Sequence, residues 1–375
     1  MEFSLVISIR EFFKALSLTR LDRMRDAMRR FRRALGLAGT PAPPAAPAPA
    51  PTPARKQETP VDVAVQPQPA FPALAARPGS FTEHDFKFAG ECYAFRLYIP
   101  GTGNTDPPSI APLPLLVLLH GCKQDAADFA RGTAMNELAE QEKCIVLYPE
   151  QLSKSNSLRC WNWFEPGHQE RQTGEPGMIA ALTRQMIEFH NADPARVYIA
   201  GLSAGGAMAA LVAQLHPGLF AAVGVHSGIP TGSASNVVSA FSAMRRGARR
   251  STLAQEQDGV MPTIVFHGSA DKTVHPDNGA QIVNAALVAW DACGLALEKI
   301  QRTEDAVAET DGATGNRSAV RTTYSAADGK SYIEHWAVGS GPHAWSGGDA
   351  AGSFTDPQGP DASQAMLAFF LQHRK

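Results

Sequence analysis

The sequence predicts an α/β domain with a mostly parallel, twisted sheet and helices on both faces. Three observations carry this. Short, wholly apolar segments alternate with segments of helical period from about residue 93 to the end of the chain. Strands that are apolar throughout are those buried on both faces of a parallel sheet. One such segment, Val197-Tyr198-Ile199-Ala200, runs straight into Gly201-Leu202-Ser203-Ala204-Gly205 and then into the small residues Gly206 to Ala210. A strand passing through Gly-Xaa-Ser-Xaa-Gly into a helix makes a tight turn at the rim of such a sheet.

In chain order, the apolar runs at 93–99, 115–119, 144–148, 197–200, 221–225, 263–266 and 331–338 read as strands. Helical patterns fill the intervals at 126–141, 178–190, 204–215, 278–291 and 362–373. The first two strands have no helix between them and fit an antiparallel edge. No internal repeat is evident.

Two further zones precede this domain. Residues 1–38 carry nine Arg and Lys against four acids, with Leu21, Met24, Met28, Phe31 and Leu35 at steps of three and four. This is the pattern of a basic amphipathic helix that lies on an anionic or apolar surface, pairs with another helix, or is a solvated extension. Residues 39–79 read as a disordered linker, with seven prolines between Pro41 and Ala54 in an almost pure Pro/Ala stretch. Residues 80–375 then form the α/β domain.

The formal net charge of −2 over 375 residues, with 44% hydrophobic content, suits a globular enzyme and gives no indication of nucleic acid as a partner. No run of 18 apolar residues appears, so no transmembrane helix is expected. The N-terminus is a poor secretory signal, because its apolar stretch precedes the basic residues. Five cysteines without metal-ligand spacing do not make a disulfide scaffold or a zinc site.

The chemistry is read from three positions. Ser203 sits at the strand-to-helix turn, where it is either a nucleophile or merely a helix cap. A serine hydroxyl needs a base, and the base an orienting acid, in the chain order Ser, Asp, His for this kind of sheet. Asp271 follows the strand at 263–266 and takes the acid's place, with Asp277 its nearest rival. His343 lies in the loop Gly339-Ser340-Gly341-Pro342-His343, after the last strand. An oxyanion needs two backbone N–H donors. Ala204, next after the serine, supplies one. Cys122 supplies the other, in the loop His120-Gly121-Cys122 that follows the strand at 115–119. A Cys122 thiol nucleophile is the weaker alternative. The aromatic run Trp161-Asn162-Trp163-Phe164 reads as a cleft wall or lid, or as packing under the sheet edge.

Five motifs in order resemble the poly(3-hydroxybutyrate) depolymerase family of esterases, which has feruloyl and acetylxylan esterase relatives. They are His120-Gly121-Cys122-Lys123-Gln124, Tyr148-Pro149-Glu150-Gln151, Cys160-Trp161-Asn162-Trp163-Phe164, Gly201 to Met208, and Gly341-Pro342-His343-Ala344-Trp345. The resemblance spans roughly 85–345. It implies an α/β-hydrolase fold and carboxylester hydrolysis through Ser203, Asp271 and His343, with Cys122 and Ala204 as oxyanion donors and no metal or organic cofactor. It further implies a Cys122–Cys160 disulfide and Trp345 in the substrate cleft. Trp161, Trp163 and His120 are taken with Trp345 as substrate-binding. The substrate is expected to be poly(3-hydroxybutyrate) or short hydroxyacid esters. The alternatives are a feruloyl- or acetylxylan-type esterase and a non-catalytic, surface-binding hydrolase body. The family suggests an extracellular setting. The basic helix suggests instead peripheral contact with a polymer granule or membrane.

Overall fold

Residues 78–101, 111–248, 260–304 and 317–375 are described by the computed structural model. The expected helix over 1–38, and nearly all of 39–79, lie outside the described residues. The strands are β1 (Ser80–Phe88), β2 (Glu91–Ile99), β3 (Leu113–Leu119), β4 (Ile145–Pro149), β5 (Ala192–Leu202), β6 (Ala222–His226), β7 (Thr263–Gly268), β8 (Glu298–Glu304), β9 (Ala319–Ser325), β10 (Ser331–Val338), β11 (Trp345–Ser346) and β12 (Thr355–Asp356). The helices are α1 (Ala126–Thr133), α2 (Met135–Glu142), α3 (Gly174–Phe189), α4 (Ala204–Leu215), α5 (Val237–Arg246), α6 (Asp277–Ala292) and α7 (Ala362–Leu371). Among them, no helix is long and apolar enough to cross a membrane.

Ten strands form one sheet in the order β1-β2-β4-β3-β5-β6-β7-β10-β9-β8. From β4 to β10 every neighbouring pair is parallel; the two ends are antiparallel. This is the α/β-hydrolase architecture. Each central strand serves two cores, because successive side chains point to opposite faces. Leu115, Val117 and Leu119 of β3 join Met178, Leu182, Met208 and Ile282 on one side. Leu116 and Leu118 join Phe129, Met135, Met366 and Phe370 on the other. That double burial is why these strands read as unbroken apolar runs.

The edges differ from expectation. The strands at 93–99 and 115–119 do not pair. β4 lies between them, parallel to β3 and antiparallel to β2. The sheet also extends through β1, β8 and β9, which were not expected. β8 (EKIQRTE) is exposed along almost its whole length and β1 nearly so. A polar edge strand carries no apolar signal.

The single helix expected at 126–141 is two helices, broken at Ala134, which has φ 49°. Its carbonyl ladder is intercepted from far along the chain. Asp349 N–H donates to Gly132 O at 2.9 Å, and the Ser363 hydroxyl donates to Thr133 O at 2.6 Å.

Candidate active site

The nucleophile elbow is built by close backbone approach. Ser203 has φ 58° and ψ −119°, a conformation rare for a residue with a side chain. Such strain costs about 1–3 kcal/mol and persists only where the surroundings impose it. Here Ser203 N–H donates to His226 O at 2.8 Å, and Ala207 N–H donates to Ser203 O at 3.0 Å. The flanking glycines have no room for a side chain. A Cβ on Gly205 would lie 2.2 Å from Leu119 O and 2.5 Å from His120 O. One on Gly201 would lie 2.5 Å from the Gly205 carbonyl. Thus the end of β3 rests directly on the start of α4, and the loop after β3 stands over the helix N-terminus.

That loop is held from several sides. His120 Nδ1 donates to Gly121 O at 2.8 Å, and Nε2 accepts from Gln151 N–H at 3.1 Å. Burial, opposed mainly by the Gly121 carbonyl, lowers the His120 pKa to about 4, so the ring is neutral. Gly121 N–H donates to Gln124 Oε1 at 2.9 Å. Lys123 N–H donates to Leu158 O at 2.7 Å. A disulfide joins Cys122 to Cys160, the pairing the resemblance implied. Beyond it, the buried Glu175, in the first turn of α3, accepts from Asn162 N–H and Asn162 Nδ2 at 2.7 Å each and from Gln151 Nε2 at 2.5 Å. Among the described residues neither the Cys122 N–H nor the Ala204 N–H has a hydrogen-bond acceptor.

Asp271 and His343 meet on the same edge. β7 ends at Gly268 and β10 at Val338, in parallel register, and the two loops beyond them interlock. A Cβ on Gly268 would lie 2.2 Å from Gly341 O. His343 Nδ1 donates to Asp271 Oδ2 at 2.7 Å. The Asp271 side chain is fully buried, and Oδ1 accepts from Thr273 N–H and Val274 N–H at 2.8 Å each. Burial pushes its pKa up. The hydrogen bonds from His267, His343 and Val274 N–H, with the His343 charge, outweigh that and hold the carboxyl well below the usual range. An ionised Asp271 fixes the Nδ1–H tautomer, leaving Nε2 of the neutral ring as an acceptor. Asp277 is exposed instead, 3.5 Å from His275.

Ser203 follows β5 at the same sheet edge, with β6 between β5 and β7, Leu202 opposite His226 and His226 opposite Phe266. Among the described residues no hydrogen bond joins the Ser203 hydroxyl to the His343 ring.

The four side chains expected at the substrate are interior. His120 is 1% exposed, Trp161 0%, Trp163 6% and Trp345 1%. Trp161 Nε1 donates to His120 O at 3.1 Å, and Trp345 Nε1 donates to Ser363 Oγ at 2.9 Å. Trp345 also stacks on His226, with centroids 5.1 Å apart. These rings pack against the loops that follow β3 and β10.

Two histidines were missed. His226 Nε2 accepts from Ser346 N–H at 3.0 Å, so the buried His226 anchors the chain just past His343. His267 Nε2 donates to Val274 O at 3.0 Å and lies 3.4 Å from Asp271 Oδ2. Both occupy the carboxyl ends of expected strands, the edge where ligands bind in such sheets. That position was the available signal. Among the described residues no group of three or more His, Cys, Asp or Glu is arranged to hold a metal ion.

The chain is similar to known proteins of several kinds. Poly(3-hydroxyalkanoate) depolymerase C of Paucimonas lemoignei is 38% identical over 46% of this chain and 44% of its own length. Acetylxylan esterase A of Emericella nidulans is 32% identical over 49% of this chain and 63% of its own. This chain therefore spans less than two thirds of the length of either. Among solved structures, an acetyl xylan esterase from Aspergillus awamori superposes with a TM-score of 0.56 at 19% identity, over 77% of this chain and 98% of that one, a likeness of fold. Residues 93–295, more than half of the chain, match the family model described as esterase PHB depolymerase, and the chain belongs to that family.

Proposed function

We propose that this chain is a serine carboxylesterase that cleaves poly(3-hydroxybutyrate) or short hydroxyacid esters through an acyl-enzyme. The observation that carries this reading is the 2.7 Å Asp271–His343 hydrogen bond, formed across 72 residues of sequence on the sheet edge that also carries the strained Ser203.

Ser203 Oγ passes its proton to His343 Nε2 and attacks the ester carbonyl. Asp271 holds the ring tautomer and stabilises the imidazolium. The acceptor-free N–H groups of Cys122 and Ala204 receive the oxyanion. His343 Nε2–H then protonates the leaving alkoxide. A water activated by the same nitrogen attacks the acyl-enzyme and releases the acid. The proton transfer requires Oγ to turn onto Nε2, and such contacts commonly tighten only with substrate bound.

Polyester is favoured as substrate by the depolymerase relative at 38% identity. Acetyl or feruloyl esters form a second reading, favoured by the larger share of acetylxylan esterase A that this chain covers. A fluorophosphonate probe should label wild type and not Ser203→Ala. Labelling that persists in Ser203→Ala refutes the assignment. Relative rates on hydroxybutyrate oligomers, acetylated xylan and feruloyl esters decide between the substrates. Residues 1–38 are assigned to contact with a granule or membrane surface. Deleting them is expected to release the protein from granules while leaving rates on soluble esters unchanged; undiminished granule binding would refute this.

A further inference from the structure

One buried histidine takes no part in the proposed proton transfers, yet it touches both halves of the site. His226 is the last residue of β6 and is 1% exposed. Its backbone carbonyl accepts the Ser203 N–H at 2.8 Å. On the ring, Nε2 accepts the N–H of Ser346, three residues past His343, at 3.0 Å. A backbone N–H only donates, so Nε2 carries no proton, and the ring proton sits on Nδ1, facing Ser227 Oγ at 3.2 Å. Ser227 is held in turn, its N–H donating to Phe266 O at 2.9 Å. A protonated ring would set an N–H against that of Ser346. Burial, then the charges of His267 and His343, lowers the His226 pKa to about 3 against an upward pull from Asp271, so the accepting form persists at neutral pH.

Neighbouring rings fix the imidazole plane. It stacks on Phe266 of β7 with centroids 5.7 Å apart, and on Trp345 at 5.1 Å. Trp345 is tied down by its indole N–H on Ser363 Oγ at 2.9 Å and by its backbone N–H on Phe354 O at 2.7 Å. Asp271 does a different job. It orients the His343 ring, but among the described residues its side-chain partners are His267, Thr273, Val274 and His343, none of them in the elbow.

We propose that His226 is a positioning residue that sets the separation between Ser203 and His343. Its carbonyl holds the nucleophile's backbone, its Nε2 holds the segment carrying the base, and one rigid side chain spans the two. The proposal rests on the roles proposed above for Ser203 and His343. A base about 1 Å out of place costs on the order of 10²-fold. The ring is buried and does not meet the ester, so the loss falls on kcat and leaves KM nearly alone.

Three variants test this, and all keep the main-chain carbonyl. His226→Gln offers an amide oxygen near the place of Nε2. His226→Asn is too short to reach Ser346 but can still meet Ser227. His226→Phe keeps a stacking ring and has no acceptor. The readouts are kcat and KM on a soluble aryl ester, the rate of fluorophosphonate labelling, amide hydrogen exchange at Ser346 and a urea curve. His226→Phe and His226→Asn should lose about 10²-fold in kcat and in labelling rate, with KM within about threefold of wild type and faster exchange at Ser346. His226→Gln should recover kcat to within about tenfold and keep the Ser346 amide protected. Should His226→Phe fail to fold, Asn against Gln makes the same comparison. A merely structural role would lower stability without lowering kcat in the folded variants. The proposal is overturned if the folded Phe or Asn variant keeps kcat within about threefold of wild type, or if Gln loses as much as they do with Ser346 still protected. Hydrolysis retained in Ser203→Ala would overturn the esterase reading and this role with it. An inactive Ser203→Ala beside a fully active His226→Phe overturns the positioning role alone.

Discussion

Replacing Gly205 by Ala tests how the elbow and the oxyanion loop depend on each other. The added Cβ would lie 2.2 Å from Leu119 O, 2.5 Å from His120 O and 2.7 Å from Leu119 C. All three are backbone atoms, so no side chain can rotate away. Restoring a contact of ~3.2 Å requires the end of β3 and the start of α4 to separate by about 1 Å. The two proposed oxyanion donors ride on opposite sides of that gap, Cys122 with β3 and Ala204 with α4. A misplacement of about 1 Å at reacting groups costs on the order of 10²-fold, and loss of one oxyanion donor about 10²–10³-fold in kcat. Overpacking a rigid core adds about 1–3 kcal/mol of destabilisation. The assay is kcat and KM on a soluble aryl ester, beside a urea denaturation curve. Gly167→Ala is the control, since nothing lies within 4 Å of its Cβ position, and it should change neither quantity. The expected result for Gly205→Ala is kcat down about 10²-fold or more with KM little moved. Activity within about threefold of wild type at unchanged stability would refute the packing argument.

Other outcomes follow from the same geometry. Asp271→Asn should lower kcat by about 10⁴ because the amide favours the wrong His343 tautomer; a loss under tenfold would remove Asp271 from the mechanism. Breaking the Cys122–Cys160 disulfide, whose cysteines are 38 residues apart, by Cys160→Ser should cost about 2–4 kcal/mol, read by urea denaturation. Acidification should erode stability in two stages. His120 and His226 are lowered by burial to about 4 and about 3. The unfolded chain therefore binds more protons than the native one from the ordinary histidine range down to those values, and stability falls as pH falls through that window. Asp271, held below its ordinary range, adds a loss as pH drops through the carboxylate range and below. His226→Phe should flatten the first stage in pH-dependent urea curves, and an unchanged slope would exclude this histidine.

Much of the scaffold was legible because its signals are local. The apolar runs of β3 to β7 and β10 mark strands buried on both faces, and the glycines around Ser203 mark a turn with no room for side chains. Edge strands were not legible. β1 and β8 are largely solvated and carry no period, and β4 entered between β2 and β3 by a pairing that no local pattern encodes. Nor was the Ala134 break, because a helix pattern does not reveal that Asp349 and Ser363 will take its carbonyls. In the candidate site, Asp271 and His343 stood out as an acid and a base beyond strand ends. The burial of Trp161 and Trp345, and the support from His226 and His267, depended on neighbours remote in sequence.

Composition, period and glycine placement by themselves determined a wound α/β sheet with a serine at a strand-to-helix turn, since these are properties of a few consecutive residues. Only the tertiary structure decided which acid faces His343, which N–H groups remain without acceptors and which aromatic rings lie inside. Those outcomes follow from strand order and loop interlocking, where backbone segments far apart in sequence, such as Gly268 and Gly341 or Leu119 and Gly205, meet with no room for a side chain.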